Sequence, residues 1–174
     1  TELEDRQLTP FRVPEIKEAD LAPVALELAA WGVSSPETLA WLDPPPAPAY
    51  AQARDLLAQL GALDSSGAIT EHGRRMAELG MEPRLAHMAL RALPLGLGAA
   101  SCELAALLQE RDLFRGGEPS GQAPDSDLRP RFAAFRAFVR NGFGASGPDT
   151  AAKRRVIEEA EQWKQKLGLS GMSG

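Results

Sequence analysis

The 174-residue chain is long enough for one ordinary domain or two small ones, and 44% apolar content supports a packed core rather than a disordered tail. The net charge of −5, taken alone, argues against nucleic-acid binding, and no apolar run reaches the roughly eighteen residues of a membrane span. The single cysteine, Cys102, excludes an internal disulfide and suits a reducing cytoplasm; with only two histidines beside it, the usual Cys/His structural zinc site is excluded too.

The first residues are polar, lack a helical period and end in Pro14, which reads as a lead-in from something upstream, with no secretory signal. Asp20 is positioned to cap a helix with Pro23 in its first turn. Leu21, Val24, Leu28 and Trp31 form its inward stripe, and Gly32 stops it. Ser35-Pro36-Glu37 starts a short second helix carrying Leu39 and Leu42, which ends at the run Pro44-Pro45-Pro46, with Trp41 packed against that run. A third helix is expected from about 47 to 60, with Ala53, Leu56, Leu57 and Leu60 inward and Gly61 behind it. Two short apolar runs around Ser65-Ser66-Gly67 predict a small β-hairpin. Thr70 then caps a helix closed by Gly80.

From Met81 the pattern is helical only. Pro83 opens one helix, ending at Pro94, and a second covers about 99–109. Residues 115–128, rich in Gly and Pro, read as a mobile loop. Phe132, Phe135, Phe138 and Val139 mark a further helix, followed by a Gly-rich break over 141–147. The last helix starts near Asp149 and buries Ala152, Val156, Ala160, Trp163 and Leu167, and the end from Ser170 frays. The fold expected is mainly α: a winged helix with one small hairpin over 1–80, then an incomplete helical bundle over 81–174.

Charge is unevenly placed. Residues 1–80 hold thirteen acidic and six basic side chains, whereas 81–174 hold eleven and thirteen. Between 128 and 155, Arg129, Arg131, Arg136, Arg140, Lys153, Arg154 and Arg155 face only Asp149. An anionic partner would be drawn to that segment.

Leu42-Asp43-Pro44-Pro45-Pro46 resembles the segment that follows the motor in DEAH/RHA-type helicases. The stretch LGALDSSGAITEHGRRMAELGMEPRLAHMAL, residues 60–90, resembles that family's winged helix and its junction with a helical bundle. PEIKEADLAPVALELAAWGV and SCELAALLQERDLFR are similar to the bacterial HrpB-type branch, and Ala152-Lys153-Arg154-Arg155 to the family's late bundle (HA2, or ratchet-like) helix. The resemblance implies a parent enzyme that uses ATP to move along or unwind RNA or DNA. In it the winged helix would pack on RecA-like motor domains and the bundle would close one side of a single-strand channel. RNA is the more expected strand, in the cytoplasm, with no membrane partner. The chain has no G-x-x-x-x-G-K-[ST] loop and no Asp-Glu-Ala-His run, so ATP and Mg²⁺ would be held by the parent's motor domains, not by this segment.

Lys153, Arg154 and Arg155, near the positive end of a helix, are the leading phosphate-contact candidates. The alternative is a solvated face with Arg154–Glu158 and Arg155–Glu159 pairs. Arg129, Arg131, Arg136 and Arg140 invite the same reading; Arg136 and Arg140 are expected opposite the phenylalanine stripe, as on any amphipathic helix. Arg74 and Arg75 are expected at the surface or facing the motor. The segment 47–60, with Arg54 as its only base, is too uncharged to read a major groove. His72 and His87 are expected as surface or interface residues, Cys102 as a small buried hydrophobe, and Trp31 and Trp163 as core. The competing function is a protein-interaction module whose winged helix binds a protein with little strand contact.

Overall fold

The computed structural model describes residues 14–109, 129, 132–133, 136–137 and 150–170. Arg131, Arg140, Phe135, Phe138, Val139, the 115–128 and 141–147 segments, the lead-in before Pro14 and the last four residues lie outside the described residues, as do the side chains of Ala152 and Lys153. The chain divides into two compact units, Thr1–His87 and Met88–Gly174.

In the first unit a single 3-10 turn, Glu15–Lys17, precedes α1, Ala22–Ala30. The Asp20 carboxylate accepts the Ala22 N–H at 2.9 Å, so it caps the helix start although Leu21 holds the boundary position. That bond, first among its causes, holds the Asp20 carboxyl below its usual range; burial opposes it, and Arg84 adds to the lowering. Leu21, Ala22, Ala25, Leu26, Leu28 and Ala29 are buried. Trp31 is not in this core: it is 72% exposed. The helix ends at Ala30, and the chain turns away through Gly32 (φ +79°), so the expected stripe loses its last member.

The expected second helix is only the 3-10 turn Pro36–Thr38. Leu39 and Leu42 are exposed, Leu42 fully. Trp41 donates from Nε1 to the Pro36 carbonyl at 2.7 Å, so its ring folds back on this turn. Helix α2, Ala47–Gln59, follows the prolines and buries Tyr50, Ala53 and Leu57, while Leu56 and Leu60 are half-buried. It packs on α1, as does α3, Glu71–Leu79.

Between α2 and α3 the hairpin expectation is corrected. Among the described residues no strand forms, and the turn is closed by one isolated antiparallel bridge, Leu63 to Ile69. The reason is competition at both ends. The Ala62 and Leu63 N–H groups turn back to the Leu57 carbonyl at the end of α2, while Thr70 leaves at once to cap α3, accepting from Gly73 N–H at 3.0 Å. What remains is drawn together by the Asp64 carboxylate, which accepts from the Ser66 hydroxyl, the Ser66 N–H and the Ala68 N–H. Those bonds, the Ser66 hydroxyl first, lower the Asp64 pKa.

Gly80 ends α3 in the left-handed region (φ +66°). Helix α4, Pro83–Ala92, starts on the Glu82 carboxylate, which accepts the Arg84 and Leu85 N–H groups. Arg84 reaches both Glu82 and Asp20 at 3.0 Å. These groups are exposed or half-exposed, so the pairs contribute little, on the order of 0–1 kcal/mol. After the 3-10 turn Leu93–Leu95, the second unit holds α5, Gly98–Gln109, packed against α6, Thr150–Lys166. Their shared core includes Cys102, Ala106, Leu107, Val156, Ala160 and Trp163, while Leu167 is half-buried. Burial pushes the Cys102 thiol up to about 11, so it packs as an inert thiol. Arg129, Phe132, Ala133, Arg136 and Ala137 are helical.

Gly73 tests the junction of α2 and α3. A Cβ there would collide with the Ala62 carbonyl oxygen, which accepts from Thr70 and is fixed by it. Gly73→Ala gains about 1 kcal/mol of helix propensity but forces overpacking worth about 1–3 kcal/mol. A lower melting midpoint than wild type is expected in urea titration; an equal or higher one would show the turn yields freely.

Candidate nucleic-acid interface

The position of the basic helix is set by a charge pair that sequence reasoning missed. Lys164 lies four residues after Ala160, on the same buried stripe of α6, and is only 3% exposed. Its Nζ donates to Glu103 Oε1 of α5 at 2.8 Å and to Glu161 Oε1 at 2.9 Å. Glu103 is 5% exposed. Burial works against the Lys164 ammonium, but the bonds to Glu103 and Glu161 outweigh it and hold its pKa above the usual value. The only sequence signal was a lysine within an apolar period and a glutamate within another, and neither named its partner.

With α6 held this way, Arg154 and Arg155 are exposed. At 100° per residue Arg154 falls opposite the Val156/Ala160/Trp163 stripe and Arg155 on its flank. Lys153 is helical in the same turn. Arg129 is exposed, whereas Arg136 is half-buried and partnered. Its Nε lies 3.7 Å from Glu103 Oε2, and its guanidinium carbon sits 5.9 Å from the centroid of the Phe132 ring. Arg136 therefore shares a face with Phe132 instead of opposing it, because residues four apart on a helix are neighbours. This draws it toward the interior carboxylate.

In the first unit Arg74 and Arg75 are exposed on α3, away from buried Gly73, Met76 and Leu79. Arg54 is not available to base edges. Its Nη1 donates to the Ser34 carbonyl at 3.3 Å and its Nη2 to the Gly67 carbonyl at 3.0 Å, tying α2 to the turns on either side. His72 and His87, far apart in sequence, meet with Nε2 and Nδ1 at 2.9 Å and rings edge to face. Among the described residues no group of three or more His, Cys, Asp or Glu could hold a metal ion, and no helix is long and apolar enough to cross a membrane.

Residues 53–81 match the model of the helicase-associated (HA2) domain, winged-helix part. The chain is 40% identical over 97 residues to the ATP-dependent RNA helicase HrpB of Escherichia coli K12, which covers 56% of this chain and 12% of that protein. It is 37% identical over 103 residues to the human probable ATP-dependent RNA helicase DHX35, covering 59% of this chain and 15% of the relative. A crystal structure of the Escherichia coli DEAH/RHA helicase HrpB superposes with a TM-score of 0.71 at 28% identity, over 98% of this chain and 18% of that one. By sequence and by fold the chain is similar to the helicase-associated region of DEAH-box helicases, with its winged helix and helical part. Among those relatives it is similar to HrpB. It spans a small share of the length of the relatives it matches.

The buried pair yields a directional prediction. Lys164→Met strands the Glu103 carboxylate and should cost about 3–5 kcal/mol, while Glu103→Leu together with Lys164→Met should recover most of it. Since the Lys164 pKa is raised, the stability that its ammonium contributes is fully present at neutral pH and is lost only as pH rises through the raised folded value. Denaturant midpoints across a double-mutant cycle at neutral pH check this; additive losses would contradict it.

Proposed function

We propose that the chain is the strand-gripping and motor-docking region of an ATP-dependent helicase, acting on single-stranded RNA in the cytoplasm. ATP and Mg²⁺ are bound by RecA-like motor domains of the same enzyme. The observation that carries the reading is the exposure of Arg154 and Arg155 on a helix whose roll is fixed by a buried ion pair. Arg129 is exposed too, and Lys153, Arg131 and Arg140 belong to the same basic segment. Arg136 contributes less, being drawn to Glu103. Phosphates would be met by guanidinium groups as the motor steps, and release of counterions would supply the affinity. RNA is favoured because the relatives are named RNA helicases. The acidic winged-helix half would dock on the motor, with Arg74 and Arg75 at the contact. A protein-interaction role is the second reading, favoured by Trp31 and Leu42, large apolar side chains exposed on the first unit.

Fluorescence anisotropy of a labelled oligouridine strand, measured across salt concentrations, tests the grip. Binding should weaken as salt rises, and Arg154→Ala/Arg155→Ala should weaken it further and flatten the log–log slope by about 0.7 per lost phosphate contact. Salt-independent binding, or an unchanged slope in the variant, favours the protein-interaction reading.

A further inference from the structure

His72 stands in the first turn of α3 and His87 in the middle of α4, both in the first unit. Both rings are half-buried, not enclosed in the core. His72 Nε2 and His87 Nδ1 lie 2.9 Å apart, with the ring planes at 89°. As a hydrogen bond the contact uses one N–H and one lone pair. If the donor ring moves its proton to its other nitrogen, a change between neutral tautomers, the same two nitrogens offer two lone pairs. Lone pairs this close suit one metal ion. Metal–imidazole bonds are about 2.0–2.1 Å long. At the right angle of a square-planar or octahedral ion they place two nitrogens about 2.9 Å apart, whereas a tetrahedral zinc site needs about 3.3–3.4 Å.

The neighbouring side chains narrow the choice of ion. Arg75 and Arg91 are exposed and lie about one turn along from the two histidines on their own helices. A hard cation held by charge alone would be repelled, and among the described residues no carboxylate or cysteine completes a group of three with the histidines. Imidazole affinity has to hold the ion, and tetragonal nitrogen sites suit copper(II) or nickel(II). We propose that His72 and His87 form a two-histidine chelate for such an ion, with Nε2 of one and Nδ1 of the other as cis ligands and water in the remaining positions. Closing the chelate swings both lone pairs off the line that joins the nitrogens, a rotation open to the broad torsions of half-buried rings. The ion would then fasten α3 to α4, and because both helices hold it, it would bind the folded chain and stabilise it. The proposal uses none of the residues assigned to the strand and stands apart from that reading.

The test titrates the full chain, without an affinity tag, with copper(II) chloride and follows the heat of binding, the urea midpoint and the electron paramagnetic resonance spectrum. One ion per chain and an axial spectrum with two coordinated imidazole nitrogens are expected, with nickel(II) weaker and magnesium not bound. These are the chain's only two histidines, so a chelate is separable from a single-histidine contact. His72→Gln and His87→Gln should each weaken binding about a hundredfold. At free copper about 100 times the wild-type Kd, the wild-type unfolding constant should fall about a hundredfold and that of either variant about twofold. Circular dichroism in the presence of a chelator checks that the variants fold, and the count of nitrogens on the wild type needs no variant. No copper binding, magnesium binding as tight as copper, a spectrum with one imidazole nitrogen or none, or equal copper affinity in either single variant overturns the proposal.

Discussion

The ion pair between Glu103 and Lys164 is the constraint on which the candidate interface depends. Apolar contacts between α5 and α6 are non-directional, and a stripe of Val156, Ala160 and Trp163 would tolerate some roll of one helix on the other. A buried ammonium tolerates very little, because leaving its carboxylate costs far more than shifting a methyl group. The roll of α6 is therefore fixed, and with it the outward direction of Arg154. The pair is also asymmetric. One Glu103 oxygen is engaged by Lys164, while the other has no hydrogen bond among the described residues and lies 3.7 Å from Arg136 Nε. This explains why Arg136, one of the segment's basic residues, turns inward.

The two units carry their charge differently, and the proposed roles follow that division. The first is acidic and spends a half-buried base, Arg54, on backbone carbonyls. A helix whose one arginine is so engaged offers no unpaired basic side chain to a base edge, which weighs against the sequence-reading role that winged helices can have. The second unit carries the exposed arginines of α6 on a helix without carboxylates in its first turn. Strand contact is expected there and protein contact in the first unit.

Some of this was legible in the sequence because it depends on local chemistry. Thr70 three residues before Gly73, with Gly80 behind, specifies a capped helix wherever it occurs, and α3 has those bounds. Pro83 and the apolar period of 99–109 located α4 and α5 for the same reason. The hairpin was overread: alternating apolar residues around Ser-Ser-Gly describe a turn, but not whether flanking helices leave it enough chain to pair. Trp31 was misplaced because a period does not reveal where a helix ends. Lys164 with Glu103, and His72 with His87, were invisible because they join residues distant in sequence through packing alone. The basic segment was legible as composition, but which of its members face outward was not.

The most direct test is photo-crosslinking of a 4-thiouridine-containing RNA to the chain, with crosslinked residues mapped by mass spectrometry. Crosslinks concentrated within 128–155, with few or none on 14–87, are the predicted result. Crosslinks concentrated on the winged-helix unit, or on α5 with none on α6, would contradict the assignment of the strand surface.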